Sequence, residues 1–103
     1  MLFLVIGKPR EGRDLPPKEG FLKLVKREWE TVIRLRKDEK ILDVYGFTDG
    51  SGGIIILEAT SREVVMDMVG NLPLFKYADW EIKSMMNAYE GLEKAKQKLI
   101  GTS

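Results

Sequence analysis

A ferredoxin-like α+β plan, β-α-β-β-α-β with one further helix at the C-terminal end, is the fold class this sequence predicts. Three observations predict it. Short apolar runs with strand patterning occur at residues 1–7, Ile41 to Phe47, Gly53 to Ala59 and Tyr77 to Met86. Stretches of helical period separate the first run from the second and the third from the fourth. Around Thr48-Asp49-Gly50-Ser51-Gly52, an Asp-Gly turn joins the middle two runs as a hairpin. The resulting sheet is antiparallel, with both helices on one face. The expectation is one domain over 1–103, with 1–86 as the core and 87–100 as the tail helix.

Each element has its own signal. Gly7 and Pro9 end the first apolar run, and residues 8–16 read as a polar connection. Pro16 and Pro17 suit a first helical turn, where a missing N–H costs nothing. From Pro17 to Asp38, at about 100° per residue, Phe21, Leu24, Val25, Glu28, Trp29, Val32, Ile33 and Leu35 share one broad arc. Lys23, Lys26, Arg27, Glu30 and Arg34 fall outside it as a solvated face. Thr60-Ser61-Arg62-Glu63 forms a capping box before a helix that stacks Val65, Met68, Val69 and Leu72 and stops near Gly70-Asn71. In the last strand Ala78, Trp80, Ile82 and Met86 alternate with Asp79, Glu81 and Lys83. Asn87-Ala88-Tyr89-Glu90 is a second capping box, opening a helix expected to bury Ala88, Leu92, Ala95 and Leu99.

Composition excludes several function classes. Apolar residues at 44% with charged residues at 32% describe a soluble globular chain rather than a disordered one. A net charge of +1 supplies no basic field for nucleic acid or a membrane surface, so neither is an expected partner. The opening apolar run is too short for a signal sequence and nothing approaches the roughly 20 apolar residues of a membrane span, which predicts a cytoplasmic protein. The sequence has no Cys and no His. Thiolate nucleophiles, imidazole bases and the usual zinc and haem ligands are therefore absent. Any catalysis rests on carboxylates, tyrosines, Lys, Arg and backbone groups, and no cofactor or metal is expected. Gly50-Ser51-Gly52-Gly53 superficially resembles a phosphate loop but leads into a strand, so it reads as a turn.

Glu28 is the residue that could carry chemistry, since it sits inside an otherwise apolar helix arc. A carboxylate facing inward must pair with a cation, accept hydrogen bonds, take up a proton or line a cavity. Two readings stand. It is a general base whose pKa desolvation raises toward neutrality, or a satisfied structural carboxylate held by Arg62, Lys83 or a backbone N–H. Asp43, sharing a strand face with Ile41, Tyr45 and Phe47, is a second pocket candidate. Tyr45 and Tyr77 are candidate donors to a developing oxyanion, and Trp29 and Phe75 candidate walls. The methionines at 66, 68, 85 and 86 read as core filler or interface. The first and third strands, Leu2-Phe3-Leu4-Val5-Ile6 and Ile54-Ile55-Ile56-Leu57, are apolar on both sides. That predicts cover for the open sheet face, most cheaply a second copy of the chain, hence a homodimer or larger assembly.

The block Leu72-Pro73-Leu74-Phe75-Lys76-Tyr77-Ala78-Asp79-Trp80-Glu81-Ile82, with Met1-Leu2-Phe3-Leu4-Val5 as first strand, resembles the muconolactone isomerase family from Met1 to about Lys83. The resemblance implies a ferredoxin-like dimeric α+β barrel that assembles through sheet-to-sheet dimers into rings. It also implies cofactor-free isomerase activity, a proton shift within an unsaturated lactone or ketone. Glu28 aligns with an acidic position of the family's first helix and would be the base, with Tyr45 or Tyr77 as donor. Two other classes remain open on the same scaffold: a non-catalytic oligomeric domain that binds a small ligand or serves as a subunit, and a cofactor-free monooxygenase.

Overall fold

In the computed structural model, residues 1–10 and 15–102 are described. The elements run β1 (Leu2–Pro9), α1 (Lys18–Lys37), β2 (Asp43–Gly46), β3 (Gly53–Glu58), α2 (Arg62–Gly70), a 3-10 turn (Phe75–Tyr77), β4 (Ala78–Met85) and α3 (Ala88–Thr102). One four-stranded antiparallel sheet has the order β2-β3-β1-β4, the ferredoxin-like arrangement. Directly opposed residues of an antiparallel pair lie on the same face. The register therefore sends Phe3, Val5, Val44, Ile55, Leu57 and Ile82 to one side. It sends Leu4, Ile6, Asp43, Tyr45, Ile54 and Ile56 to the other.

Both central helices pack on the first of these faces. Phe3, Val5, Ile55, Leu57 and Ile82 from the sheet, Val32 from α1, and Val65 and Val69 from α2 form one buried core with Ile41 and Leu72. Val5, Val65 and Val69 are fully buried, which is the payoff of the period-two and period-3.6 patterns meeting on one surface. Met68 and Leu35 pack at its margin.

Several boundaries differ from expectation for identifiable reasons. β1 runs on through Lys8 and Pro9 because β4 supplies partners in Asp79 and Ala78, beyond the end of β3. β2 is four residues, not seven. Ile41 turns into the core before it, and Phe47 closes the hairpin loop by donating its N–H to the Gly52 carbonyl at 2.7 Å. The cap of α2 is Ser61, one residue past the expected Thr60, its hydroxyl accepting from Val64 N–H. Asn87 caps α3 as expected, with Oδ1 accepting from Glu90 N–H at 2.9 Å.

The tail helix departs most. Ala88, Leu92, Ala95 and Leu99, expected to be buried, are all exposed in the single chain. An amphipathic period fixes which face of a helix is apolar but not what covers it. The chain measures 61 Å along its longest axis against 31 and 26 Å across, so it is elongated rather than closed into a ball.

Candidate active site

A cavity of about 300 Å³ opens between α1 and the inner face of the sheet, at the end where β1 finishes and the β2–β3 hairpin turns. That size is at the lower end of small-ligand pockets. Its roof is α1, which contributes Phe21, Val25, Glu28, Trp29 and Val32 at helical spacing. Glycines cross its floor. Gly46 of β2 opposes Gly53 of β3, and Gly53 opposes Gly7 of β1, giving a row of three glycines across three strands, all bordering the cavity.

Indoles occupy the space these glycines leave. A Cβ on Gly46 would come within 2.6 Å of the Trp29 ring, and one on Gly7 within 2.6 Å of the Trp80 ring. Trp80 is the cross-strand partner of Gly7, so its ring lies over bare backbone. Its Nε1 donates to the Phe75 carbonyl at 3.1 Å, which locks that ring in place.

Glu28 is the one charged side chain among the described residues lining the cavity. It is half-buried, and its Oε1 accepts the backbone N–H of Leu74 at 3.4 Å, a long bond at the weak end of the range. Burial pushes its carboxyl above the ordinary value, and the Leu74 N–H pulls weakly the other way. The alternative partners are engaged elsewhere. Arg62 donates to the Ile82 carbonyl and Lys83 pairs with Glu81. Glu28 thus combines the two sequence readings, facing a cavity while held by a backbone N–H.

The profile of the muconolactone delta-isomerase family matches residues 1–90. The chain belongs to that family. No curated protein matches it. Among solved structures, a muconolactone isomerase is 24% identical with a TM-score of 0.69, covering 84% of this chain and 90% of the other. The 5-chloro-2-hydroxyhydroquinone dehydrochlorinase of Burkholderia phenoliruptrix, solved with 2,5-dihydroxybenzoquinone, is 22% identical with a TM-score of 0.60. Its alignment covers 87% of this chain and 98% of that one. At these identities the two neighbours bear on the fold, and they agree with the α+β architecture.

Within this isomerase-family fold, the sequence-derived candidates divide. Glu28, Trp29 and Tyr77 border the cavity together. The Tyr77 hydroxyl makes no hydrogen bond among the described residues. Tyr45 also borders the cavity, but its register partner is Ile54, on the sheet face away from α1. Its hydroxyl donates to Asp43 Oδ2 at 2.7 Å. That bond holds the Asp43 carboxyl below its usual range and raises the Tyr45 phenol. Asp43 and Phe75 lie outside the cavity lining, and Phe75 packs against the core instead. The residues that sequence reading missed as site residues are Gly7, Gly46, Gly53 and Trp80. Their signal exists only as cross-strand register, since the glycines are far apart in sequence.

Among the described residues, no group of three or more acidic residues could hold a metal, and no helix is long and apolar enough to cross a membrane.

Proposed function

We propose that this isomerase-family chain catalyses a proton shift within a small unsaturated lactone or ketone, without a cofactor, from a cytoplasmic location. Glu28 is the base and Tyr77 the donor to the developing oxyanion. The observation that carries this reading is a half-buried carboxylate of raised pKa facing a cavity that Tyr77 also lines, its hydroxyl without a hydrogen bond among the described residues. For an enol lactone such as α-angelica lactone the step balances simply. Glu28 takes a proton from C3, and the C–H electron pair spreads through C4 and C5 and onto the carbonyl oxygen as a dienolate. The proton then returns at C5, leaving the conjugated butenolide. A base of tuned pKa and one donor suffice for this, since the proton leaves and returns within one site. The benzoquinone held by the dehydrochlorinase supports a ring-shaped ligand on this fold.

The test is to incubate the protein with α-angelica lactone in deuterated buffer and follow the C3 and C5 signals by NMR. Deuterium should enter and the conjugated isomer should accumulate faster than in a buffer blank. Rates no faster than the blank would dispose of the proton-transfer reading.

A second copy of the chain is the proposed partner. The open sheet face carries Leu4, Ile6, Ile54 and Ile56, and on α3 Tyr89 is 83% exposed and Leu92 54%. Apolar surface on this scale is normally covered. Light scattering after size-exclusion chromatography should give a dimer or a multiple of one, with Leu4→Glu shifting it toward monomer. A monomer at every concentration would remove the proposal.

A further inference from the structure

We propose that the cavity selects flat, uncharged rings and discriminates against ligands that carry a carboxylate. The inference rests on the proton-transfer reading for its choice of lactones, but its own support is the geometry of the walls. The Trp29 and Trp80 indoles lie over Gly46 and Gly7 of the glycine row, where no side chain beneath holds them off the sheet, and both rings line the cavity. Aromatic rings laid close against the sheet offer stacking and dispersion contact to a planar ring, and much less to a puckered or branched one.

The charge argument points the same way. The lining is apolar except for Glu28 and the tyrosine hydroxyls, and Glu28 is the single charged group among the described lining residues. A base must be ionised to act, so a productive ligand meets an anion in a half-buried slot. A second carboxylate placed there would lose its hydration and face like charge at close range, where the local dielectric screens poorly. An uncharged ring incurs neither cost. Ionised Glu28 therefore acts as both base and charge filter.

The chain has two tryptophans, and both line the cavity, so their fluorescence reports occupancy directly. The probes are a matched pair of conjugated butenolides, one with a methyl at C5 and one with a carboxymethyl group there. At pH 7.5 the methyl compound should quench saturably and bind at least about tenfold tighter, equivalent to about 1.4 kcal/mol. In Glu28→Gln the carboxymethyl compound should gain affinity by several-fold while the methyl compound is little changed. Equal or tighter binding of the carboxymethyl compound to the wild type would overturn the inference, as would failure of the methyl compound to bind. The proton-transfer reading fails separately. The methyl compound could bind with the stated preference while α-angelica lactone shows no deuterium uptake, which would leave the charge filter standing and remove the base.

Discussion

Replacing Glu28 by glutamine should slow proton exchange in α-angelica lactone by about 10²- to 10⁴-fold, the usual contribution of a positioned general base. The amide keeps the size of the side chain and can still orient toward Leu74, so the cavity should persist and ligand binding survive. The wild-type rate should rise with pH through the folded-state pKa of Glu28, which burial holds above its ordinary value near 4.5. In the variant that rising limb should vanish. Stability should move oppositely. A carboxyl whose folded pKa is raised favours the folded state below its unfolded pKa, and that contribution is lost as pH rises through the folded value. At neutral pH, Glu28→Gln should therefore be at least as stable as the wild type, with its relative advantage shrinking in acid. Paired thermal melts at pH 4 and pH 7.5, alongside the exchange rates, check both signs. A variant that exchanges at the wild-type rate would show that Glu28 is a structural carboxylate.

The proposed role of Glu28 as base would account for a stability cost at its position. Glu28 sits where an apolar side chain would pack against Phe21, Val25 and Val32, and its one side-chain hydrogen bond among the described residues is long. A carboxylate there costs folding free energy that a Leu or Met would not. Breaking a local rule without full compensation is what functional positions do.

The inward position of Glu28 was legible because α1 is long. Twenty residues at 3.6 per turn fix a face many times over, and Phe21, Val25 and Val32 all fell where the arc placed them. β2 offered no such redundancy. In a four-residue strand, Val44 and Tyr45 are equally plausible as the inward residue, and only pairing with Ile55 and Ile54 settles which is which. That one step of register carries Tyr45 and Asp43 away from the helices and onto the open face, where they bond each other. Tyr77 escaped the ambiguity by lying in the turn that leads into β4, next to a strand whose Ala78, Trp80 and Ile82 alternate unmistakably. The helix α3 shows the opposite limit. Its cap at Asn87 was fixed by four adjacent residues, whereas the surface that covers its apolar face depends on contacts a single chain does not contain.

The floor of the cavity was invisible for the same reason, and it yields the largest expected loss of stability. Gly52→Ala should destabilise the fold by about 3 kcal/mol or more, lowering the melting temperature by about 12–24 °C for a domain of this size. Two separate penalties combine. The φ of Gly52 is +131°, a backbone conformation that L side chains rarely adopt. An added Cβ would also drive into the Gly7 carbonyl oxygen, which is backbone and cannot rotate aside. Gly50→Ala separates the two. Gly50 also has positive φ, +78°, but nothing lies within 4 Å of its Cβ direction, so only the conformational cost of about 1 kcal/mol applies. The difference between the two melts isolates the close approach of the hairpin to β1. That approach sets the hairpin against β1 beside the Gly7–Gly53 pair, at the cavity floor. Where Gly52→Ala remains folded, it should therefore also lose tryptophan quenching by the uncharged butenolide, while Gly50→Ala keeps it. Equal melting temperatures for the two variants would mean that the hairpin can retreat from β1 without cost, and the floor would then be no fixed part of the site.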